Sequence, residues 1–237
     1  MIIAIDAGHG LTTSGKRCMK ALDPNETREW WLNNRIADRL EVLLASYDCK
    51  IIRVDDTTGA KDISLANRVA KANNGKADVY ISIHHNAGAN GGNSGGTEVY
   101  YYSSKAERKT QATALYNALI NYTGLKGNRA TPVRKHAYYV VKNTNMPAFL
   151  SENGYMDSKI DRPIILTSGH AEKTAMSILR FLVEQFGLKQ VEAPEAPTEK
   201  PGTVYRVQVG AYSVKANAEA MQKKLKASGY DATIVQS

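Results

Sequence analysis

The sequence predicts an α/β protein, with a largely parallel sheet and helices on both of its faces. Apolar segments of strand length alternate with amphipathic helical segments over the first 188 residues, which is typical of strands joined by helical crossovers. The chain has 237 residues, enough for one well-filled core and a small appendage. Gly124 and Gly187 follow two of the helical segments, where glycine commonly ends a helix.

Short apolar runs bounded by turn residues predict the strands, and apolar stripes at helical spacing predict the helices. The expected strands are Ile2–Asp6, Cys49–Val54, Asp78–His84, Thr97–Tyr102, Tyr138–Lys142 and Pro147–Glu152. The expected helices are Arg28–Ala45, Ser64–Ala72, Ser104–Tyr122 and Gly169–Phe186. Asp62 precedes the second helix and is predicted as its N-cap.

The composition changes after residue 188. Lys189–Gly202 mixes prolines with charged residues and has no apolar periodicity, which predicts a linker. Beyond it, strands at Tyr205–Val209 and Ala232–Val235 are expected to flank a helix at Ser213–Ala227. We therefore expect a main domain at 1–188, a Pro-rich linker at 189–202 and a small β-α-β segment at 203–237.

Charge and hydropathy exclude two classes of partner. The formal charge of +8 is spread over separated Lys and Arg residues, so nucleic acid is not expected as a ligand. No apolar run approaches the ~20 residues of a membrane span, so membrane insertion is not expected either. The chain opens on a buried-strand pattern instead of a signal peptide, which predicts synthesis in the cytoplasm.

Several side chains that can titrate or bind metal stand at the ends of predicted strands. His9 lies between two glycines after the first strand, His84 and His85 close the third, and Glu152 ends the last. The carboxyl ends of parallel strands form the ligand-binding edge of such sheets. Neighbouring residues of a strand face opposite sides, so at most one of His84 and His85 would share a site with His9. Asp6 is expected to orient the His9 ring from behind.

Two histidines and one carboxylate, with a fourth position for water, are the ligand set of a catalytic zinc site. A further carboxylate beside such a site would serve as the base in amide hydrolysis. Glu26 and Glu29 stand near the start of the first long helix, where a glutamate interacts favourably with the helix dipole, and Glu26 is expected to have only this role.

Four motifs in this order resemble the zinc-dependent N-acetylmuramoyl-L-alanine amidases of the amidase 3 family. They are DAGHG at Asp6–Gly10, EWWLN at Glu29–Asn33, SIHHN at Ser82–Asn86 and PAFLSENG at Pro147–Gly154. The resemblance spans nearly all of residues 1–188. It implies a twisted mixed sheet flanked by helices. It also implies that His9, Glu29 and His84 bind Zn²⁺, with Glu152 as the catalytic carboxylate.

The implied reaction is cleavage by zinc-activated water of the amide bond between N-acetylmuramic acid and L-alanine in peptidoglycan. TSGKR at Thr13–Arg17 is similar to endolysins and autolysins, which predicts action on the cell wall after release from the cell. Two rival functions stay open: a zinc peptidase acting on the peptidoglycan stem or crossbridge, and a non-catalytic wall-binding protein.

The segment Tyr205–Val235 resembles the first half of a SPOR domain, a module that binds glycan strands stripped of peptide. A β-α-β unit of this size is marginal by itself. Three alternatives follow: the segment associates with a second copy of the chain, it lacks a stable fold of its own, or it has no binding role.

Overall fold

A computed structural model describes residues 1–191, 209–227 and 232–235 of the chain. The chain divides into two compact units, Met1–Glu192 and Ala193–Ser237. Within the described part of the chain, no helix combines the length and the apolar character needed to cross a membrane.

The first unit is built on a six-stranded mixed sheet of order β2-β1-β3-β6-β4-β5. The strands are β1 Ile2–Ala7, β2 Lys50–Arg53, β3 Val79–Asn86, β4 Thr97–Tyr101, β5 Val133–Lys135 and β6 Ala148–Tyr155. Strands β2, β1, β3 and β6 are mutually parallel, whereas β4 pairs with β6 in the antiparallel sense and β5 runs parallel to β4. The expected α/β class with a mostly parallel mixed sheet is confirmed.

Helices cover both faces of this sheet. They are α1 Glu29–Leu44, α2 Leu65–Asn74, α3 Ala106–Thr123, α4 Tyr139–Asn143, α5 Asp161–Ile165 and α6 Ser168–Phe186. The larger core packs α1, α3 and α6 against one face, and a smaller core packs α2 and α4 against the other. Along β3, Ile81 and Ile83 belong to the larger core, whereas Tyr80 belongs to the smaller one.

Two of the secondary-structure predictions for this unit are wrong in detail. Tyr138–Lys142 is not a strand: residues Tyr139–Asn143 form α4, and the sixth strand is β5 instead. A helical turn buries the adjacent Val140 and Val141 together in the smaller core, whereas a strand would direct them to opposite sides.

The second error concerns the cap of α2. Ser64 is its N-cap and accepts a hydrogen bond from the Asn67 amide at 3.3 Å. Asp62 instead accepts from Thr13 and Arg68, at 2.7 and 3.0 Å. It therefore braces the loop after β1 instead of capping the helix.

The predicted helix ends at glycine are confirmed. Gly124 and Gly187 follow α3 and α6 in the left-handed region, with φ of 73° and 65°. This conformation is accessible to glycine at low cost and closes the last helical turn.

The second unit shows one helix among its described residues, α7 Lys215–Ala227. Ala232–Val235, predicted as a strand, has no strand pairing among the described residues. The expected strand Tyr205–Val209 falls outside the described residues except for Val209, which is not in a strand. A strand requires a hydrogen-bonded neighbour, so only the helix of the predicted β-α-β unit is seen here.

Candidate metal centre

Three of the predicted site residues meet at the carboxyl end of the parallel strands. His9 follows β1, Glu29 is the first residue of α1, and His84 lies near the end of β3. One ligand atom from each lies within 4.8 Å of the other two. Glu29 Oε1 is 3.3 Å from His9 Nε2 and 3.1 Å from His84 Nδ1. These residues, distant in sequence, therefore form one cluster that can hold a metal ion.

The backbone after β1 brings His9 into this cluster. His9 has a positive φ of 69°, and Asn33 Nδ2 donates to the Gly8 carbonyl at 3.1 Å. A Cβ added at Gly8 would lie 2.0 Å from the His84 ring. Only glycine allows this close approach of the β1 loop to His84.

Glu29 is a buried carboxylate whose negative charge is stabilised by the two histidines. Burial by itself would raise its pKa, but the hydrogen bonds with His84 and His9 outweigh burial and lower the pKa below its ordinary value. The His84 pKa is raised in turn: burial opposes its charge, and the bond to Glu29 prevails. Lys16 Nζ stands 3.7 Å from Glu29 Oε2 and adds a further positive charge.

The two adjacent histidines face opposite sides of the sheet. His84 shares its side with Glu29 and His9, while the His85 ring is buried toward α1 and α6. His85 Nδ1 is 2.7 Å from Asn33 Oδ1, and its ring centroid is 6.0 Å from that of His170. Burial and the neighbouring His170 lower the His85 pKa to about 3, so this ring is neutral.

The two glutamates near the start of the first helix, Glu26 and Glu29, have different partners. Glu29 joins the histidines, whereas Glu26 precedes the helix and pairs with Arg17 at 3.1 Å. Glu26 has a φ of 48° and lies outside the first turn, so an interaction with the helix dipole is not its role.

Glu152 lies beside the cluster. It is in β6, directly opposite His84 in the parallel register. Glu152 and Glu29 line the same cleft, which has a volume of about 260 Å³. Burial, opposed by His84 and reinforced by the negative charge of Glu29, raises the Glu152 pKa to about 8. Its Oε2 atom is buried with no hydrogen-bond partner among the described residues. The group can therefore take up or release a proton near neutral pH.

Asp6 does not orient the His9 ring as expected. Its carboxylate accepts from Tyr80 and Ser82, at 2.9 and 2.7 Å, and pairs with Arg68 at 2.5 Å. Arg68 also donates to the carbonyls of Ala7 and His9, at 2.8 and 2.9 Å. Asp6 thus holds the His9 loop through a buried arginine.

Two buried charged residues near the centre, Arg68 and Glu98, are not among the residues predicted from the sequence. Arg68 is 1% exposed and Glu98 is fully buried. A charge on a central strand is rare unless it is paired or functional, and this reasoning, applied to Glu152, would also have identified Glu98. Arg68 carried no comparable signal, because a charged residue on a helix normally faces solvent.

Comparison with known proteins shows the family to which the chain belongs. Residues 3–184 match the family model described as N-acetylmuramoyl-L-alanine amidase, and residues 177–236 match the SPOR domain. A sporulation-specific N-acetylmuramoyl-L-alanine amidase of Bacillus subtilis (strain 168) is 30% identical over 234 residues, covering 98% of this chain and 84% of the relative. The endolysin of Bacillus phage SPP1 is 27% identical over 209 residues, covering 84% of this chain and 71% of the endolysin.

A solved structure gives the same result for the fold. The catalytic domain of CwlV, an N-acetylmuramoyl-L-alanine amidase from Bacillus (Paenibacillus) polymyxa var. colistinus, superposes with a TM-score of 0.69 at 26% identity. The similarity covers 79% of this chain and 99% of that domain. Because the family model matches most of the chain and the sporulation amidase is similar along nearly all of it, this protein belongs to the amidase 3 family of N-acetylmuramoyl-L-alanine amidases.

Proposed function

We propose that this amidase hydrolyses the bond between N-acetylmuramic acid and L-alanine in peptidoglycan with a zinc ion held by His9, Glu29 and His84. The observation that carries the proposal is the convergence of these three ligand atoms within 4.8 Å, with Glu152 directly opposite His84 on the neighbouring strand. Membership of the amidase family supports the choice of bond.

The donor set fits zinc. Zinc binds imidazole nitrogen and carboxylate oxygen at about 2.0–2.2 Å, so its tetrahedral ligands lie roughly 3.3 Å apart. The distances from Glu29 Oε1 to His9 Nε2 and His84 Nδ1, 3.3 and 3.1 Å, are close to this ligand–ligand distance. Glu29 Oε2 is buried and makes no hydrogen bond among the described residues, with Lys16 Nζ 3.7 Å away, and a metal ion at the centre would further compensate this buried charge.

A zinc ion held by His9, Glu29 and His84 would supply Lewis acidity to the attacking water and the scissile carbonyl. The protein then has to move one proton from the attacking water to the alanine nitrogen. Glu152 is the group placed to do this: it lies directly opposite His84 on the neighbouring strand, and its Oε2 makes no competing hydrogen bond among the described residues. The loop braced by Asp6 and Arg68 holds His9 in position.

Fragment analysis tests the bond, the metal and the activity together. We expect the full chain to release peptides with a free L-alanine amine from purified peptidoglycan and to leave the glycan intact. Chelation should stop the reaction, and added zinc should restore it. New termini elsewhere in the stem or crossbridge would indicate the zinc peptidase, and binding without cleavage by the zinc-loaded chain would indicate the wall-binding protein.

The domain organisation belongs to the same proposal. Residues 1–188 would form the catalytic domain, 189–202 the linker and 203–237 a wall-binding segment, alone or associated with a second copy. The SPOR match over residues 177–236 supports the wall-binding role. The protein would then act at the cell wall after its release from the cytoplasm.

A further inference from the structure

A second carboxylate, Glu98, lies next to the proposed catalytic one. Glu98 in β4 is directly opposite Glu152 in the antiparallel pair of β4 and β6. Opposed residues of neighbouring strands direct their side chains to the same face, with strands about 4.8 Å apart. Glu98, Glu152 and His84 therefore form a row across three adjacent strands.

The Glu98 carboxylate is fully occupied by hydrogen bonds. It accepts from Tyr100 Oη at 2.9 Å and Asn86 Nδ2 at 3.2 Å, and also from Tyr155 Oη. Arg129 Nε is 3.2 Å away, and Arg134 Nη2 also donates to it. A carboxylate with so many donors stays ionised and is not available as a base; its structural effect is to hold two arginines.

These two arginines remain partly exposed. The side chains of Arg129 and Arg134 are 38% and 39% exposed, although both contact a buried carboxylate. Each guanidinium also lies over a tyrosine ring, Arg129 at 5.5 Å from Tyr155 and Arg134 at 5.1 Å from Tyr100. Two cations share one anion, so the cluster has one positive charge in excess.

Their geometry suits a carboxylate ligand. A guanidinium has five N–H donors in a fixed plane and binds carboxylates through two parallel hydrogen bonds. Here ring stacking and Glu98 restrict both guanidinium groups, so less entropy is lost on binding. Arg134 belongs to β5, the second strand beyond Glu152, which puts its backbone about 10 Å from the catalytic strand.

We propose that Arg129 and Arg134 bind a free carboxylate of the stem peptide, just beyond the L-alanine whose amide bond is cut. An extended peptide advances about 3.3–3.6 Å per residue, so two residues cover about 7 Å of this distance, and the Arg134 side chain, which reaches back to Glu98 in β4, covers the rest. This inference rests on the proposed function, since it assumes that the peptide stem leaves the centre toward β4 and β5.

The test compares two soluble glycan-linked stem peptides that differ in a single group. In one, the α-carboxylate of the residue after L-alanine is free; in the other, it is an amide. With the zinc-loaded full chain, we expect kcat/KM to be about tenfold higher for the free carboxylate, mainly through KM. Arg129→Gln and Arg134→Gln should each lower kcat/KM more for the free carboxylate than for the amide, so that the preference shrinks. Arg134→Lys should keep part of it, because the charge remains.

Arg39→Gln is the matched control. Arg39 is also paired with a glutamate, Glu172, and its side chain is 38% exposed, but this pair joins α1 to α6 and includes neither Glu98 nor Glu152. It should leave the preference intact. Equal kcat/KM for the two peptides in the unmodified chain would overturn the subsite. An equal loss on both peptides in the variants would also overturn it and show a structural role.

The two proposals fail differently in this experiment. If both peptides are cut at the L-alanine bond without preference, the amidase function stands and the carboxylate subsite is wrong. If neither yields a free L-alanine amine, the proposed function is wrong and the subsite with it. The soluble peptides contain no phosphate groups. Binding of the two arginines to phosphate groups of the cell wall therefore cannot cause a difference between the two peptides.

Discussion

The adjacent residues His84 and His85 show how one position along a strand determines chemistry. His84 meets His9 and Glu29, whereas His85 is packed against Asn33 on the opposite face. Strand alternation predicted that the two would separate, and the family motif favoured His84. The structure places them accordingly, and their roles as ligand and non-ligand are open to direct measurement.

The matched pair His84→Gln and His85→Gln tests this assignment. We expect His84→Gln to lose zinc and activity, because one of three protein ligands is removed. His85→Gln should retain about one zinc per chain and lose mainly stability, by roughly 1–3 kcal/mol for a disturbed buried polar contact. Metal analysis of the purified variants and urea unfolding measure the two effects. Zinc loss in His85→Gln alone would reverse the assignment.

Glu152→Gln tests the proton-transfer role. The amide is nearly isosteric but cannot accept the water proton, so turnover should fall by about 10²–10⁴-fold. Because Glu152 is not a proposed ligand, zinc content should stay unchanged. A variant that cleaves peptidoglycan at the normal rate would place the base elsewhere.

At the scale of elements, β6 brings the two sides of the site together. It is parallel to β3 on one side and antiparallel to β4 on the other, so His84 and Glu98 both flank Glu152. Gly154, near the end of this strand, has a φ of 105°, and a Cβ there would lie 2.7 Å from Ile165 and Leu125. Glycine is required here for two reasons: the positive φ is unfavourable for other residues, and there is no room for a Cβ atom.

Gly154→Ala should therefore destabilise the fold by about 2–4 kcal/mol, since strain and overpacking add. Gly124→Ala is the control: Gly124 also has positive φ, but open space surrounds its position, so only the backbone cost of about 1 kcal/mol is expected. Denaturant unfolding compares the two. Equal losses would show that the contacts with Ile165 and Leu125 relax freely.

For the whole molecule, buried neutral histidines couple stability to pH. Burial lowers the pKa of His170 to about 4, well below the value near 6.5 of an unfolded chain. Between these values the unfolded state binds a proton that the folded state does not. The free energy of unfolding therefore falls as pH decreases from 6.5 to 4, by up to about 1.4 kcal/mol per pH unit for this group.

His170→Gln should flatten this dependence, and the exposed His136→Gln should leave it unchanged. Urea unfolding at several pH values, with chelator present throughout, separates histidine titration from release of metal. An identical slope in His170→Gln and the unmodified chain would contradict the lowered pKa.

Removal of residues 193–237 tests the two-part organisation. The first unit has its own sheet and cores, so a chain ending at residue 192 should cleave soluble fragments as well as the full chain does. Binding to whole cell walls should weaken by at least about tenfold, because a second attachment is lost. Sedimentation with purified walls measures the bound fraction. Undiminished binding would show that the segment has no wall-binding role.

The order of most strands and helices was predictable because the signals are local. Apolar periodicity marks β1, β3 and β6, and the helix ends at Gly124 and Gly187 follow from backbone preference. The weak point was Tyr138–Lys142, where β-branched and aromatic residues indicated a strand. Burial of Val140 and Val141 on one side favoured a helix, and that burial depends on α2, far away in sequence.

The sequence by itself determined the α/β class, the family and the location of His9, His84 and Glu152 toward the carboxyl ends of the parallel strands, although β6 continues beyond Glu152 to Tyr155. Only the tertiary structure decided the reversed direction of β4 and the partners of the buried charges. Asp6 pairs with Arg68 62 residues away, and Glu98 with Arg134 36 residues away. Periodicity and turn preference act between neighbours along the chain, whereas a buried charge is satisfied by whichever donors the completed fold brings to it.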